Sequence, residues 1–131
     1  MKMKIQMAYR YTGEDSVKLV EDLKKIVEML EIKGHEVYVP VLDLDRPSDK
    51  KDLFLNTLKR LDGCDAILGL IKSEEKSEGM LMEIGYAWGR DKKLFIAISE
   101  DVKNTHMKEF ADKVINFSDM DDLFFKLKGL N

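Results

Sequence analysis

The sequence predicts an α/β protein, a single domain built on an open five-stranded parallel sheet of order 2-1-3-4-5 with helices on both faces. Three observations predict it. Five short apolar segments alternate with stretches whose apolar residues recur at three- and four-residue spacing, the pattern of strands joined by crossover helices. The middle segment, Ala66 to Ile71, is almost continuously apolar between charged residues, as a strand covered on both faces is. A length of 131 residues suits one core, and no repeat, low-complexity tract or linker divides residues 1–131.

Lys4 to Ala8 reads as the first strand, and Tyr9-Arg10-Tyr11-Thr12-Gly13 as the loop into a helix starting at Glu14, Asp15 and Ser16. Leu19, Val20, Leu23, Ile26, Val27 and Leu30 form one face of that helix, which ends near Gly34. His35 to Leu42, with Val37, Val39 and Val41, reads as a second strand, and Pro40 near its end suits a sheet edge. Asp43 to Lys51, charged and containing Pro47, reads as a loop. A helix with Phe54, Leu58 and Leu61 on one face then stops at Gly63. After the third strand, Lys72 to Gly79 is a polar loop, followed by a helix from about Met80 to Arg90. Met80, Ile84 and Trp88 stack along this helix, and Gly85 and Gly89 leave room for a neighbour. Leu94 to Ile98 is a fourth strand, Thr105 to Lys113 a short helix, Val114 to Phe117 a fifth strand and Asp121 to Leu130 a last helix.

Composition excludes several classes. The chain is 44% hydrophobic and 36% charged, and no apolar run reaches the roughly 18 residues that span a bilayer. The N-terminal MKMKIQMAYR lacks a cleavable signal pattern, so a cytoplasmic location is expected. Twenty-two Lys and Arg against 25 Asp and Glu leave a net charge of −3, without the basic footprint of a nucleic-acid-polymer binder. The lone Cys64 has no partner for a disulfide and reads as a packing residue at the mouth of a strand.

Ligands of such sheets bind outside the carboxyl ends of the strands where the winding reverses, here between the first and third strands. Two loops frame that crevice, Tyr9 to Gly13 and Lys72 to Gly79. A helix starting at Met80 puts Glu83 in its first turn, where partial positive charge favours the ionised carboxylate that a nucleophile must be. An acid in a first turn also simply complements the helix dipole. Ser77 offers a hydroxyl and Gly79 a close backbone approach to an anion, although a plain helix cap or loop hydroxyl is the commoner fate of such a serine. Arg10 and Thr12 are suited to phosphate, and Tyr9 or Tyr11 to stacking on a base; plain surface placement suits each as well.

The stretch Ser77-Glu78-Gly79-Met80-Leu81-Met82-Glu83-Ile84-Gly85-Tyr86-Ala87, followed by Gly89-Arg90-Asp91-Lys92-Lys93 and a strand, resembles the nucleoside 2-deoxyribosyltransferase family. It is closest to the branch of 2′-deoxynucleoside 5′-monophosphate N-hydrolases. Cys64-Asp65 entering an apolar strand and the glycine-bearing turn ending at Gly13 extend the resemblance over most of the chain. The resemblance implies that Glu83 attacks the anomeric carbon, with Gly85 and Ala87 completing the pattern. It also implies that Ser77 and Gly79 hold a 5′-phosphate, where the transferases usually place an aspartate facing the sugar. A small-molecule nucleoside or nucleotide substrate, no cofactor, no metal and a homodimer assembled through these helices follow from it too. Three positions depart from the family pattern. Thr57 stands where many members carry an aspartate, with Asn56 beside it and Asp52 more than a turn away, so the proton donor for the leaving base is missing or relocated. Gln6 replaces an aromatic of the first strand, and Tyr9 a glycine of the phosphate loop.

The leading expectation is N-glycosidic cleavage or base exchange through a glycosyl-enzyme on Glu83. A nucleotide-binding or regulatory protein of the same fold with weak catalysis is the alternative. A receiver-like or flavodoxin-like domain fits less well: Ile71-Lys72-Ser73 lacks the acceptor aspartate, and the first loop lacks a hydroxyl- and glycine-rich phosphate cradle. Met80, Met82, Tyr86 and Trp88 cannot all face one sheet, which favours the homodimer. Base, sugar and final acceptor stay open at this level.

Overall fold

A computed structural model describes residues 2–43 and 49–130. Five parallel strands, β1 (Lys4–Tyr9), β2 (Glu36–Tyr38), β3 (Ala66–Ile71), β4 (Lys93–Ser99) and β5 (Lys113–Phe117), form one sheet in the order β2-β1-β3-β4-β5. The expected class, strand order and direction are all present. The helices are α1 (Ser16–Ile32), α2 (Pro40–Asp43), α3 (Lys50–Asp62), α4 (Glu78–Gly89), α5 (Met107–Phe110) and α6 (Met120–Leu127).

Each face of the sheet has its own core. Leu19, Leu23, Ile26 and Leu30 of α1, with Leu123 and Leu127 of α6, cover Ile5, Met7, Leu68 and Phe95. On the opposite face Leu61 of α3 and Met80, Ile84 and Ala87 of α4 cover Ala8, Ile67, Ile96 and Ile98. Every residue of β3 is buried, as a central parallel strand requires. Cys64 packs at the start of this strand, its Sγ 3.5 Å from the Arg60 carbonyl, and burial pushes its thiol up to about 11.

Several features differ from expectation. The second strand ends at Tyr38 because Pro40 has no N–H for a ladder and its fixed φ suits a first helical position; it opens the short helix α2 instead. The Val39 amide donates to Asp43 Oδ2 at 2.6 Å and closes that turn. Pro47 and the residues around it fall in 44–48, outside the described residues. Helix α4 begins at Glu78, two residues early, because Ser77 caps it: Ser77 Oγ accepts from the Met80 amide at 3.2 Å. Trp88 does not stack under Met80 and Ile84; Ala87 fills that buried position, and Trp88 lies 57% exposed, edge-on to Phe110.

Close approach occurs at a different glycine from those expected. A Cβ at Gly85 or Gly89 would meet nothing within 4 Å, whereas one at Gly69 of β3 would lie 3.1 Å from Cδ1 of both Ile84 and Ile96. Gly69 therefore lets α4 settle onto the sheet at Ile84, the residue after Glu83.

Candidate active site

The parallel sheet delivers the carboxyl ends of β1 and β3 side by side, with Tyr9 in register with Leu70. A cleft of about 470 Å³ opens there, between α3 and α4 on one face of the sheet. This is within the range of small-molecule sites. Its α3 wall is a single helical stripe, Lys50, Leu53, Phe54 and Thr57, at spacings of three, one and three. The α4 wall is Ser77, Gly79, Met80 and Glu83, and Tyr9, Tyr11, Thr12, Pro40 and Val41 close the remaining sides. Tyr9 Oη accepts from the Val41 amide at 2.9 Å, which joins the wall formed by α2 to the end of β1.

Of the residues expected to form the site, Tyr9, Thr12, Ser77, Gly79 and Glu83 meet in this cleft. Arg10 and Gly13 do not line it. The Arg10 guanidinium is held by Glu14 and Glu75, at 2.7 Å each, in a smaller neighbouring cavity. Gly13, at φ +85°, packs against that guanidinium. Arg10, expected to bind phosphate, is here paired with two carboxylates.

Glu83 differs from expectation in its environment. With the cap at Ser77 it belongs to the second turn of α4, beyond the first turn where the helix dipole is strong. Among the described residues no hydrogen bond reaches its carboxyl, and burial alone pushes it up from 4.5 to about 8. Near neutral pH this burial favours the protonated form, in opposition to the dipole. Glu83 is the one carboxyl group among the described residues lining the cleft, and Lys50 the one ammonium or guanidinium. Both Lys50 and Lys51 occupy the first turn of α3, the end where the dipole disfavours cations.

Thr57, buried at the cleft wall, donates its hydroxyl to the Leu53 carbonyl at 3.0 Å, while its own carbonyl accepts from Gln6 Nε2 at 3.1 Å. Its single O–H is committed to the helix and is not directed to a leaving group. Ser77 keeps its own hydroxyl proton, since in the cap it acts only as acceptor. The amides of Glu78 and Gly79 lie in the first turn, without intrahelical partners. A donor set of hydroxyl and helix N-terminal amides suits an anion. Among the described residues no group of three His, Cys, Asp or Glu is placed to hold a metal ion, and no helix is long and apolar enough to cross a membrane.

Sequence reasoning missed Pro40, Val41, Lys50, Leu53 and Phe54 as wall residues. The stripe at 50, 53, 54 and 57 is a legible signal, but the spacing of Phe54 with Leu58 and Leu61 points to the core face instead.

Solved structures share this architecture. The 2-deoxyribosyltransferase of Bacillus psychrosaccharolyticus is 18% identical, with a TM-score of 0.70 over 98% of this chain and 92% of that one. The CMP N-glycosidase of Clostridium botulinum is also 18% identical, with a TM-score of 0.67 over 95% and 96%. A conserved protein from Enterococcus faecalis V583, 13% identical, reaches 0.72 over 98% of both chains. No curated protein sequence matches significantly. At these identities the structures establish the fold; the sequence model described as nucleoside 2-deoxyribosyltransferase matches residues 11–117, and the chain belongs to that family.

Proposed function

We propose that this protein cleaves the N-glycosidic bond of a nucleoside 5′-monophosphate, or exchanges its base, with Glu83 as nucleophile. The observation that carries the reading is the Glu83 carboxyl, the one carboxyl group and without a hydrogen bond among the described residues, in a cleft lined by apolar, aromatic and hydroxyl groups and by Lys50. In its ionised form the carboxylate attacks C1′ of the sugar. The C1′–N bond breaks, its electron pair leaves with the base, and an ester joins Glu83 to the sugar. Water then hydrolyses the ester, or a second base takes up the sugar. Glycosidases usually provide a second carboxyl group as acid. Here the proton-bearing groups of the described cleft include the ammonium of Lys50, the Ser77 hydroxyl and the phenols of Tyr9 and Tyr11.

The monophosphate preference rests on Ser77 and the amides of Glu78 and Gly79, with Thr12 across the mouth. The 2-deoxyribosyltransferase and the CMP N-glycosidase among the structural neighbours agree with this range of reactions. A homodimer through α4 is part of the same proposal. It is supported by Met82, 60% exposed, by exposed Trp88, and by the open space over Gly85 and Gly89.

Incubation with a panel of nucleosides and 5′-monophosphates, with free base followed by chromatography, tests the reading. Release from a monophosphate with a higher kcat/KM than from its nucleoside is expected. Equal values would move the chain to the transferase branch. Binding without release would favour the weakly catalytic binding protein, a reading supported by the committed hydroxyl of Thr57.

A further inference from the structure

Arg10 stands outside the cleft yet touches both loops that frame it. Its Nη1 donates to Glu14 Oε2, and its Nη2 to Glu75 Oε2, a residue 65 positions away on the loop between β3 and α4. Lys72 Nζ, 3.7 Å from Glu14 Oε1 and 3.7 Å from Asp22 Oδ2, continues the chain of charges to α1. The first loop is folded around the guanidinium: a Cβ on Gly13 would lie 2.5 Å from Arg10 Nη2, and its φ of +85° also favours glycine. Between Arg10 and Gly13 are Tyr11 and Thr12, both wall residues of the cleft, and two residues beyond Glu75 is Ser77.

We infer that Arg10 is a positioning residue, a clasp that sets the spacing of the two cleft walls. The inference rests on the reading of this cleft as the nucleotide site. The two halves of the clasp differ. Arg10 and Glu14 have side chains only 22% and 20% exposed, so that pair is the fixed half; Glu75 is 71% exposed, so its bond is the half that releases. On the opposite side Glu74 accepts from the amides of Lys103 and Asn104, and Lys76 donates to the Asn104 carbonyl. That side of the second loop is thereby anchored, and Arg10 governs the side facing the first loop. Arg10 meets its two carboxylates at 2.7 Å each through separate nitrogens of a rigid planar fork, a geometry that the single nitrogen of a lysine does not reproduce.

The test compares Arg10→Gln, Arg10→Lys and Glu75→Gln in the full chain. Without substrate, amide hydrogen exchange reads the clasp at Glu14, whose amide bonds to the Tyr11 carbonyl, and at Glu75, whose amide bonds to Ser73 Oγ. Arg10→Gln should speed exchange at both by about tenfold, Arg10→Lys should not restore it, and Glu75→Gln should affect the second loop alone. With substrate, Arg10→Gln should raise KM by roughly five- to tenfold for a monophosphate and for its nucleoside alike, with kcat falling less. Unchanged exchange at Glu14 overturns the inference, as does a KM increase confined to the monophosphate, which would make Arg10 a phosphate ligand that abandons Glu75. If the wild type released no base from any substrate, the proposed reaction would fail while exchange still reported on the clasp.

Discussion

Replacing Glu83 by Gln separates the cost of burying this carboxyl from its chemistry. The folded protein holds the Glu83 proton until about pH 8, whereas the unfolded chain releases it near 4.5. An acid whose folded-state value is raised imposes no cost below 4.5, where both states are protonated. Between 4.5 and about 8 the unfolded state alone is ionised, so stability falls as pH rises; above about 8 the loss is constant. At about 1.36 kcal/mol per pH unit the ceiling is about 5 kcal/mol. The carboxyl is partly open to the cleft, so the loss is expected between about 2 kcal/mol and this ceiling. Gln keeps the shape and carries no titrating proton. Glu83→Gln should therefore match the wild type within about 0.5 kcal/mol near pH 4, exceed it by about 2–5 kcal/mol near pH 9, and lose turnover by several orders of magnitude. Urea unfolding followed by circular dichroism across this range, together with base release by chromatography, measures both. A stability difference independent of pH would refute the burial argument, and retained turnover would refute Glu83 as the nucleophile.

The same burial gives kcat/KM an ascending limb: activity should rise with pH toward about 8 and level off above it, since free enzyme must lose the Glu83 proton before attack. A profile already flat from about pH 5 would contradict this. Gly69→Ala drives a methyl against Ile84 and Ile96 at 3.1 Å and should cost about 1–3 kcal/mol in denaturant unfolding while lowering kcat through displacement of α4; a neutral result would show that the isoleucines yield freely. On the outer face of α4, Met82→Asp should convert a dimer to a monomer in sedimentation without loss of fold, because Met82 is 60% exposed in the single chain. Wild-type protein that sediments as a monomer at about micromolar concentration would remove the dimer from the proposal.

The architecture was legible because the information for it is local. Strand and helix segments alternate by their own periodicity, β3 shows its double burial in its composition, and chain connectivity then limits the winding to few arrangements. Glu83 was legible for the same reason, as part of a contiguous pattern from Ser77 to Ala87. Helix boundaries were less so. Whether Ser77 acts as loop hydroxyl or cap depends on backbone geometry, and that choice moves Glu83 from the first to the second turn of α4. Pro40 was placed in an edge strand because proline tolerates that position; the carboxylate of Asp43, four residues after Val39, tips the segment into a helical turn.

By itself the sequence determined the fold class, the strand order, the family pattern and the identity of the candidate nucleophile, all of which depend on residues near one another in the chain. Only the tertiary structure decided the state of that nucleophile and the partners of Arg10. The upward shift of Glu83 follows from burial in a cleft whose walls come from distant segments of the chain. The guanidinium of Arg10 is claimed by Glu75, 65 residues further on. Burial and long-range pairing are properties of the folded packing, so residue types and spacing along the chain do not encode them locally.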